Sequence, residues 1–480
     1  MSDPRPFWVD GAPQHAATSF DVRSPWDGRL VGTVAQAEPE HVERAVTGAT
    51  RAAGPLAALP AHARATALTH VSAGILARAG ELAELITAEN GKPIMWARAE
   101  VERAASTFRW AAEEARRWSG ELQRLDTDPG SEGRLALVRR FPRGPVLGIS
   151  PFNFPLNLVA HKVAPALAVG APIVLKPAPK TPLSALVLGE LLAGTDLPPG
   201  SWSILTVADA AMPDLVADPR LPVVSFTGSG AVGWQIRAAV PGKHVTLELG
   251  GNAAVLVAKD WSSPADLAWA AERIARFATY QAGQSCVSVQ RVYAEAPVHD
   301  ALLAAVVEAV ARLGTGAPQH PETVVGPLIN AEAADRVQEW VAEAVAAGAL
   351  VVAGGGRDGT TLAPTVLTGV PRDARLSREE LFGPVLLVER VADLDEGLAR
   401  IDDSAYGLQA GVFTRDLTTA FRAHAELQVG GVIVGDVPTY RADQMPYGGT
   451  KGSGVGREGL AAAMADLTQE RVLVLCGVSL

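Results

Sequence analysis

Two successive series of alternating strand and helix patterns predict an α/β protein with a doubly wound, mostly parallel sheet. Three observations carry that reading. Apolar runs at 146–150, 172–176 and 221–226 alternate with helical segments at 156–168 and 184–193. A second series of the same kind begins near Gly251. The length of 480 residues suggests roughly three domains at the usual 100–200 residues each, with room for large cores.

In chain order, 20–34 alternates apolar residues with the turns Ser24-Pro25 and Asp27-Gly28, a hairpin pattern. From 38 to 117 the period is helical, with Ala- and Leu-rich stretches such as 65–88. The segment 122–141 reads as a protruding strand pair, because Asp126-Thr127-Asp128-Pro129-Gly130 makes a turn ahead of the β-rich 135–141. The first strand–helix series follows. The second series has a strand at 254–258, a helix at 265–280 and a strand at 288–295. Helices at 300–313 and 331–347 and strands at 350–353 and 385–390 continue it. The apolar stretch 470–476 is a terminal strand. Left unpaired it would be an aggregation-prone edge, so it is expected to pair with another subunit.

The composition, 48 % hydrophobic and 20 % charged, is that of an ordinary globular α/β chain. A net charge of −10 with no compensating basic stripe argues against nucleic-acid and anionic-membrane partners. Arg139, Arg140 and Arg143 then read as a solvated surface or an interface. Two widely separated cysteines, Cys286 and Cys476, make no disulfide framework and point to a reducing compartment. There is no charged-then-apolar run at the start and no uncharged apolar run of about 18 residues, so a cytoplasmic location is expected. The nine histidines form no spaced ligand cluster, so no metal site is expected, and Cys476 reads as a packing residue.

Cys286 ends the run Gln281-Ala282-Gly283-Gln284-Ser285-Cys286, a glycine-containing turn with polar neighbours where substrate can reach a thiol. Glu248 heads Glu248-Leu249-Gly250-Gly251-Asn252. A nucleophile and a water-activating carboxylate suffice to make and hydrolyse a thioester. The competing reading is a small buried hydrophobe, the usual state of a free cysteine. Gly228-Ser229-Gly230-Ala231-Val232-Gly233 matches G-x-G-x-x-G, follows a strand and opens a helix, the setting in which backbone approaches a dinucleotide phosphate. That fingerprint wants an acid about 20 residues on to hold the adenosine ribose, and Glu248 stands there too. Glu248 therefore has two functional readings, ribose ligand or base, beside that of a plain strand-end glutamate. The base is favoured because the fingerprint enters after two βα units and the Gly250-Gly251 turn can swing the carboxylate into a cleft. Ser150-Pro151-Phe152-Asn153-Phe154-Pro155 holds Asn153 between two prolines. A stiffly held amide N–H suits a developing oxyanion; a structural turn asparagine is the alternative.

Together these segments resemble the three signature motifs of the aldehyde dehydrogenase superfamily. Glu379-Glu380-Leu381-Phe382-Gly383-Pro384 and Pro446-Tyr447-Gly448-Gly449-Thr450-Lys451-Gly452-Ser453-Gly454 resemble its later motifs, in the family's order along essentially the whole chain. The resemblance implies oxidation of an aldehyde to its carboxylate with NAD or NADP. It implies Cys286 as nucleophile, Glu248 as general base, and Asn153 with the Cys286 backbone N–H as oxyanion hole. Lys162 is similar to a lysine in a proton path with the base. On the cofactor side the resemblance implies Ile149, Ser150, Pro151 and Phe152 in the loop, and Lys176 at the adenosine ribose. Gly228, Ser229 and Gly233 would form the phosphate-side turn, making the match at Gly230 accidental. Glu380 and Phe382 would steady the nicotinamide ribose and ring. The implied organisation is a Rossmann-like nucleotide-binding domain (1–121 and 142–250), an α/β catalytic domain (251–462), and small β oligomerisation strands (122–141 and 463–480). These strands would support a homodimer or homotetramer.

Departures from the pattern bear on specificity. Many NAD-preferring members carry a glutamate three residues after the Lys176 position; here Pro179 stands there, followed by Lys180. NADP is therefore expected to be tolerated beside NAD. At positions resembling the family's substrate tunnel, Phe154 and Tyr447 are aromatic, Asn157 is polar, and His161 and Arg441 replace apolar rings. Arg441 suits a carboxylate, phosphonate or phosphate, or else is a surface arginine. The wording around 157–161, 285–290 and 438–441 is closest to lactaldehyde, glyceraldehyde, succinate-semialdehyde and phosphonoacetaldehyde types. A small polar or anionic aldehyde is expected. A CoA-acylating relative is the alternative enzyme, against which Glu248 weighs because acyl transfer to CoA needs no water-activating base. A catalytically silent structural or nucleotide-binding relative is the alternative of a different class.

Overall fold

The computed structural model describes residues 3–477. Five parallel strands form the centre of an eight-stranded sheet, in the spatial order Trp202–Ile204, Ile173–Lys176, Val146–Ile149, Val223–Thr227, His244–Glu248. Val146–Ile149 and Ile173–Lys176 are buried at every residue, so they read as continuous apolar runs rather than as alternation. Chain order reverses between Val146–Ile149 and Val223–Thr227, where an open parallel sheet leaves a crevice beyond the carboxyl ends of its strands.

Helix Asn157–Val169 is buried along its whole length, which forces Asn157, His161 and Lys162 to find partners inside the protein. The helical stretch after residue 38 resolves into Pro39–Ala58, Ala61–Ala77, Ala79–Asn90 and Ile94–Arg117, packed into the same core. Several strands of this sheet carry no clear sequence pattern. Phe7–Val9 and Trp202–Ile204 span three residues each, too short for an alternation signal.

The second series forms a seven-stranded sheet from Leu350–Ala353 at one edge to Gly431–Val434 at the other, with Ala254–Val257 and Arg291–Glu295 adjacent near its middle. Before the end of the chain the backbone returns to the first sheet. Gly454–Val455 pairs antiparallel with Leu247 and Glu248, and helix Leu460–Asp466 buries Leu460 and Met464 in the first core. The last residues of the expected unit 251–462 thus pair with the end of the Glu248 strand.

The terminal strand joins the strand pair 122–141, as the expected grouping of 122–141 with 463–480 has it. Thr468–Cys476 pairs antiparallel with Arg134–Pro142 of its own chain, register Thr468 to Pro142 through Cys476 to Arg134, and Glu121–Arg124 completes a three-stranded sheet. The terminal strand lies at the edge of this sheet, with its outer side unpaired within the chain. Residues 478–480 of the expected oligomerisation segment lie outside the described residues. Among the described residues no helix is long and apolar enough to cross a membrane.

Candidate active site

A cleft of ≈ 760 Å³ opens at the crevice where the first sheet changes direction, well within the usual size for a small-molecule site. Cys286, Glu248 and Asn153 all line it, though they come from three separate stretches of chain.

The Cys286 turn is held in an unusual backbone shape. Gln281 and Ala282 have φ +50° and +55°, and Gly283 follows at +71°. Left-handed backbone at a non-glycine residue costs about 1–3 kcal/mol and persists only where surroundings over-determine it. Here they do. The Gln281 amide donates to the Asn153 carbonyl and, at 3.3 Å, to Asn90 Oδ1. The Asn90 amide donates to the Phe152 carbonyl at 2.7 Å. Gln284 donates to the Gln281 carbonyl at 3.1 Å and accepts from the Ile329 N–H at 2.9 Å. The Cys286 turn and the Asn153 loop are thereby tied into one unit. Asn153 Nδ2 donates to the Gln284 carbonyl at 3.0 Å, while its Oδ1 is buried without a partner.

Cys286 Sγ lies 3.2 Å from the Tyr447 hydroxyl. Burial pushes its thiol up to about 12 against a smaller opposing effect of the Tyr447 hydrogen bond. Glu248, at the end of its strand, is buried with neither carboxylate oxygen hydrogen-bonded. Burial, reinforced by the nearby Glu458 charge, drives its carboxyl well above the ordinary range, with Arg441 and Lys162 opposing. Gly448, at φ +157°, makes room for it: a Cβ there would stand 2.8 Å from Glu248 Oε1.

Lys162 donates to Thr227 Oγ1 at 2.8 Å and Ser225 Oγ at 3.1 Å, and stands 3.5 Å from Glu458. Burial lowers its ammonium pKa. Glu458 also receives Arg441 at 3.1 Å. Burial opposes its ionisation, but Lys162 and Arg441 outweigh that and hold its carboxyl below the usual range. Arg441 is only 8 % exposed, lies 3.8 Å above the Tyr447 ring and keeps its Nε buried without a partner. The alternative of a surface arginine is excluded.

Arg441 and Tyr447 line the cleft, but the other three residues expected on the substrate side do not. Asn157 Oδ1 accepts from Thr107 at 3.3 Å. His161 sits 3.1 Å from Asp443 and 3.3 Å from the Arg441 guanidinium. Phe154 lies under the Lys92 ammonium at 3.9 Å. Lys92 in turn pairs with Glu100, whose other oxygen caps helix Asn157–Val169 by accepting from the Leu156 and Asn157 N–H groups. These three residues support the walls.

The cofactor-side residues Ile149, Ser150, Pro151, Phe152, Lys176, Gly228, Ser229, Glu380 and Phe382 all line the cleft. Ser229 precedes helix Gly230–Ala239 without a side-chain cap hydrogen bond, and that helix N-terminus is a ready anion site. Gly233 sits a turn further in and away from the wall. A Cβ there would run into the Leu249 side chain, so this glycine lets the helix lie close to the sheet. Nothing lies within 4 Å of a Cβ at Gly230, which leaves the literal fingerprint glycine without a steric task. Burial pushes Glu380 up to about 7, and its Oε1 accepts from the Gly251 N–H at 3.1 Å. Phe382, at φ +56°, meets Phe152 edge-on at 6.0 Å. The one grouping of three metal-type ligands among the described residues, Glu38, Glu40 and His41, is a helix cap in which the Glu38 N–H donates to His41 at 3.2 Å.

The sequence model of the Aldehyde dehydrogenase family matches residues 8–473. The chain belongs to the aldehyde dehydrogenase family. As a member it is an oxidoreductase acting on aldehydes. It is 41 % identical to 3-sulfolactaldehyde dehydrogenase of Priestia aryabhattai over 98 % of this chain and 97 % of that relative. Aldehyde dehydrogenase 21 of Physcomitrella patens, solved with the reaction product succinate, superposes with TM-score 0.97 at 42 % identity, covering 99 % of each chain. NADP-dependent glyceraldehyde-3-phosphate dehydrogenase of Bacillus halodurans C-125, solved with NADP, gives 0.95 at 34 % identity, covering 99 % of this chain and 100 % of that one.

Within this aldehyde dehydrogenase the sequence reading missed Glu458 and Asp209. Glu458 carries a faint signal, a charged pair between glycines in Gly456-Arg457-Glu458-Gly459, just past the last motif. Asp209 carries none: it opens a short turn after strand Trp202–Ile204, the neighbour of the Lys176 strand, and meets Lys176 at 2.6 Å.

Proposed function

We propose that this enzyme oxidises a small anionic aldehyde to its carboxylate through a thioester on Cys286, with NAD or NADP as hydride acceptor. The observation that carries the reading is one cleft lined by a thiol, a carboxylate with no hydrogen-bond partner, and an amide tied to the thiol's own turn.

Cys286 loses its thiol proton to water, and the thiolate Sγ adds to the aldehyde carbon as the carbonyl electron pair moves onto oxygen. Asn153 Nδ2 spends one hydrogen on Gln284 and has its second for that oxyanion, beside the Cys286 backbone N–H. When bound, the dinucleotide supplies a hydride acceptor. Glu248 then takes a proton from water as the water oxygen attacks the thioester carbon, the acid leaves as the sulfur regains its electron pair, and the acid's remaining proton passes to solvent to give the carboxylate. Lys162 and Arg441, both at Glu458, surround Glu248 with the charges that balance it during this exchange.

The residues present fit a dinucleotide. Ser150 Oγ is buried in the wall without a partner, Ser229 presents a helix N-terminus, and Lys176 and Glu380 can each meet a ribose. The two units holding it would be 1–121 with 142–250, and 251–462. The Priestia relative's substrate and the Physcomitrella enzyme's product are both anions by name. Arg441 offers the matching cation one ring away from the thiol.

The test is nicotinamide reduction over a panel of matched anionic and neutral aldehydes. Arg441→Ala is expected to lower kcat/KM for anionic aldehydes by about 10–100-fold, the loss of a hydrogen bond to a charged group, and to change neutral ones far less. Equal losses on both would show that Arg441 serves Glu458 rather than substrate. The three-stranded sheet is read as a contact between copies in a cytoplasmic homodimer or homotetramer, because Val472 and Leu473 stay 62 % and 56 % exposed after pairing within the chain. Sedimentation at the monomer mass would overturn that.

A further inference from the structure

The Lys176 end of the cleft contains a carboxylate that the sequence around Pro179 does not offer. Lys176 closes strand Ile173–Lys176 and has a side chain only 7 % exposed. Its ammonium donates to Asp209 Oδ1 at 2.6 Å, and the Asp209 side chain is 78 % exposed. Asp209 follows strand Trp202–Ile204, the parallel neighbour of the Lys176 strand, so the sheet itself sets the two side by side. Both line the cleft, and so does Lys180. Among the described residues no other donor reaches the Asp209 carboxylate, leaving its second oxygen open. Apolar Val216, Ile236, Ala239 and Val240 line the same cleft and suit the flat face of a base.

We infer that Asp209, acting with Lys176, is the residue that discriminates against a 2′-phosphate and tilts this enzyme towards NAD. The inference rests on the dinucleotide reading above. A cis-diol can donate one hydroxyl to the open carboxylate oxygen while its other accepts from the ammonium, which leaves the existing pair intact. A 2′-phosphate is an acceptor-only dianion near neutral pH. It must displace Asp209 from Lys176 or lie against its negative charge. Lys180 offsets part of that repulsion, and water at so exposed a carboxylate screens more of it. The resulting preference is therefore moderate, about tenfold for NAD over NADP, so the NADP tolerance expected from Pro179 and Lys180 survives in weakened form.

Dissociation constants for NAD and NADP, measured by calorimetry without aldehyde on the full-length protein, test this. Asp209→Asn is expected to shift the NADP-to-NAD affinity ratio about tenfold towards NADP, chiefly by tightening NADP, while Asp209→Glu keeps the wild-type ratio. An Asp209→Asn ratio within twofold of wild type overturns the inference. Failure of wild type to bind either dinucleotide overturns the dinucleotide reading instead, and the two results are not confusable.

Discussion

Cys286→Ala is expected to cut aldehyde oxidation by about 10⁴-fold or more, the scale seen when a covalent nucleophile is removed. Dinucleotide binding, measured by calorimetry, should persist because the nucleotide-side walls are untouched. The thiol is the group at which a thioester can form in this cleft, and its turn is held in left-handed backbone by Gln281 and Gln284. Burial has raised its pKa to about 12, so near neutral pH the resting sulfur is protonated. The sign follows directly. Thiolate is the minor form below that value, and its share grows about tenfold per pH unit as pH rises towards it. Alkylation of Cys286 by iodoacetamide in the dinucleotide-free enzyme should climb accordingly. An alanine variant with more than a hundredth of wild-type activity would remove Cys286 from the role, whereas alkylation independent of pH would mean that the thiol is already ionised.

Glu248→Gln should separate the two halves of the reaction. A near-isosteric amide keeps the volume under Gly448 but cannot accept the proton of water. One equivalent of reduced nicotinamide per subunit should form in a burst, with later turnover slowed by about 10²–10⁴-fold, the usual worth of a general base. The acyl group should then be visible as added mass on Cys286. Because Glu248 titrates above the ordinary carboxylate range, its capacity as a base in wild type grows with rising pH, and the slow phase of the variant should lose that dependence. A variant without a burst would mean that Glu248 is needed to form the thioester as well. Rescue of turnover by CoA, with an acyl-CoA product in wild type, would favour the acylating alternative. Wild type inert across the whole aldehyde panel would favour the catalytically silent one.

Much of this site was legible because its chemistry sits in short segments. Cys286, Glu248 and Asn153 each lie in a run whose glycines or prolines mark an abrupt change of backbone direction, and all three reach the one cleft. The residues that support them were less legible. His161 looked like a tunnel residue from its position after the asparagine loop, yet its helix is buried on every side and turns it to Asp443. Asn157 and Phe154 went the same way, to Thr107 and Lys92. A buried polar group must find a partner, and which partner it finds depends on the helix packed opposite.

By itself the sequence determined the two strand–helix series, the order of the motifs, and which thiol, carboxylate and amide could make and hydrolyse a thioester. These are local properties, written in periodicity and in turn-forming residues. The tertiary structure decided which charges meet. It placed Glu458 against Lys162 and Arg441 by returning the chain to the Glu248 strand, set Asp209 beside Lys176, and fixed the register of Thr468–Cys476 on Arg134–Pro142. Each of these contacts links residues distant in sequence. Electrostatic and backbone pairing act through space, and a linear pattern does not record the distances on which they depend.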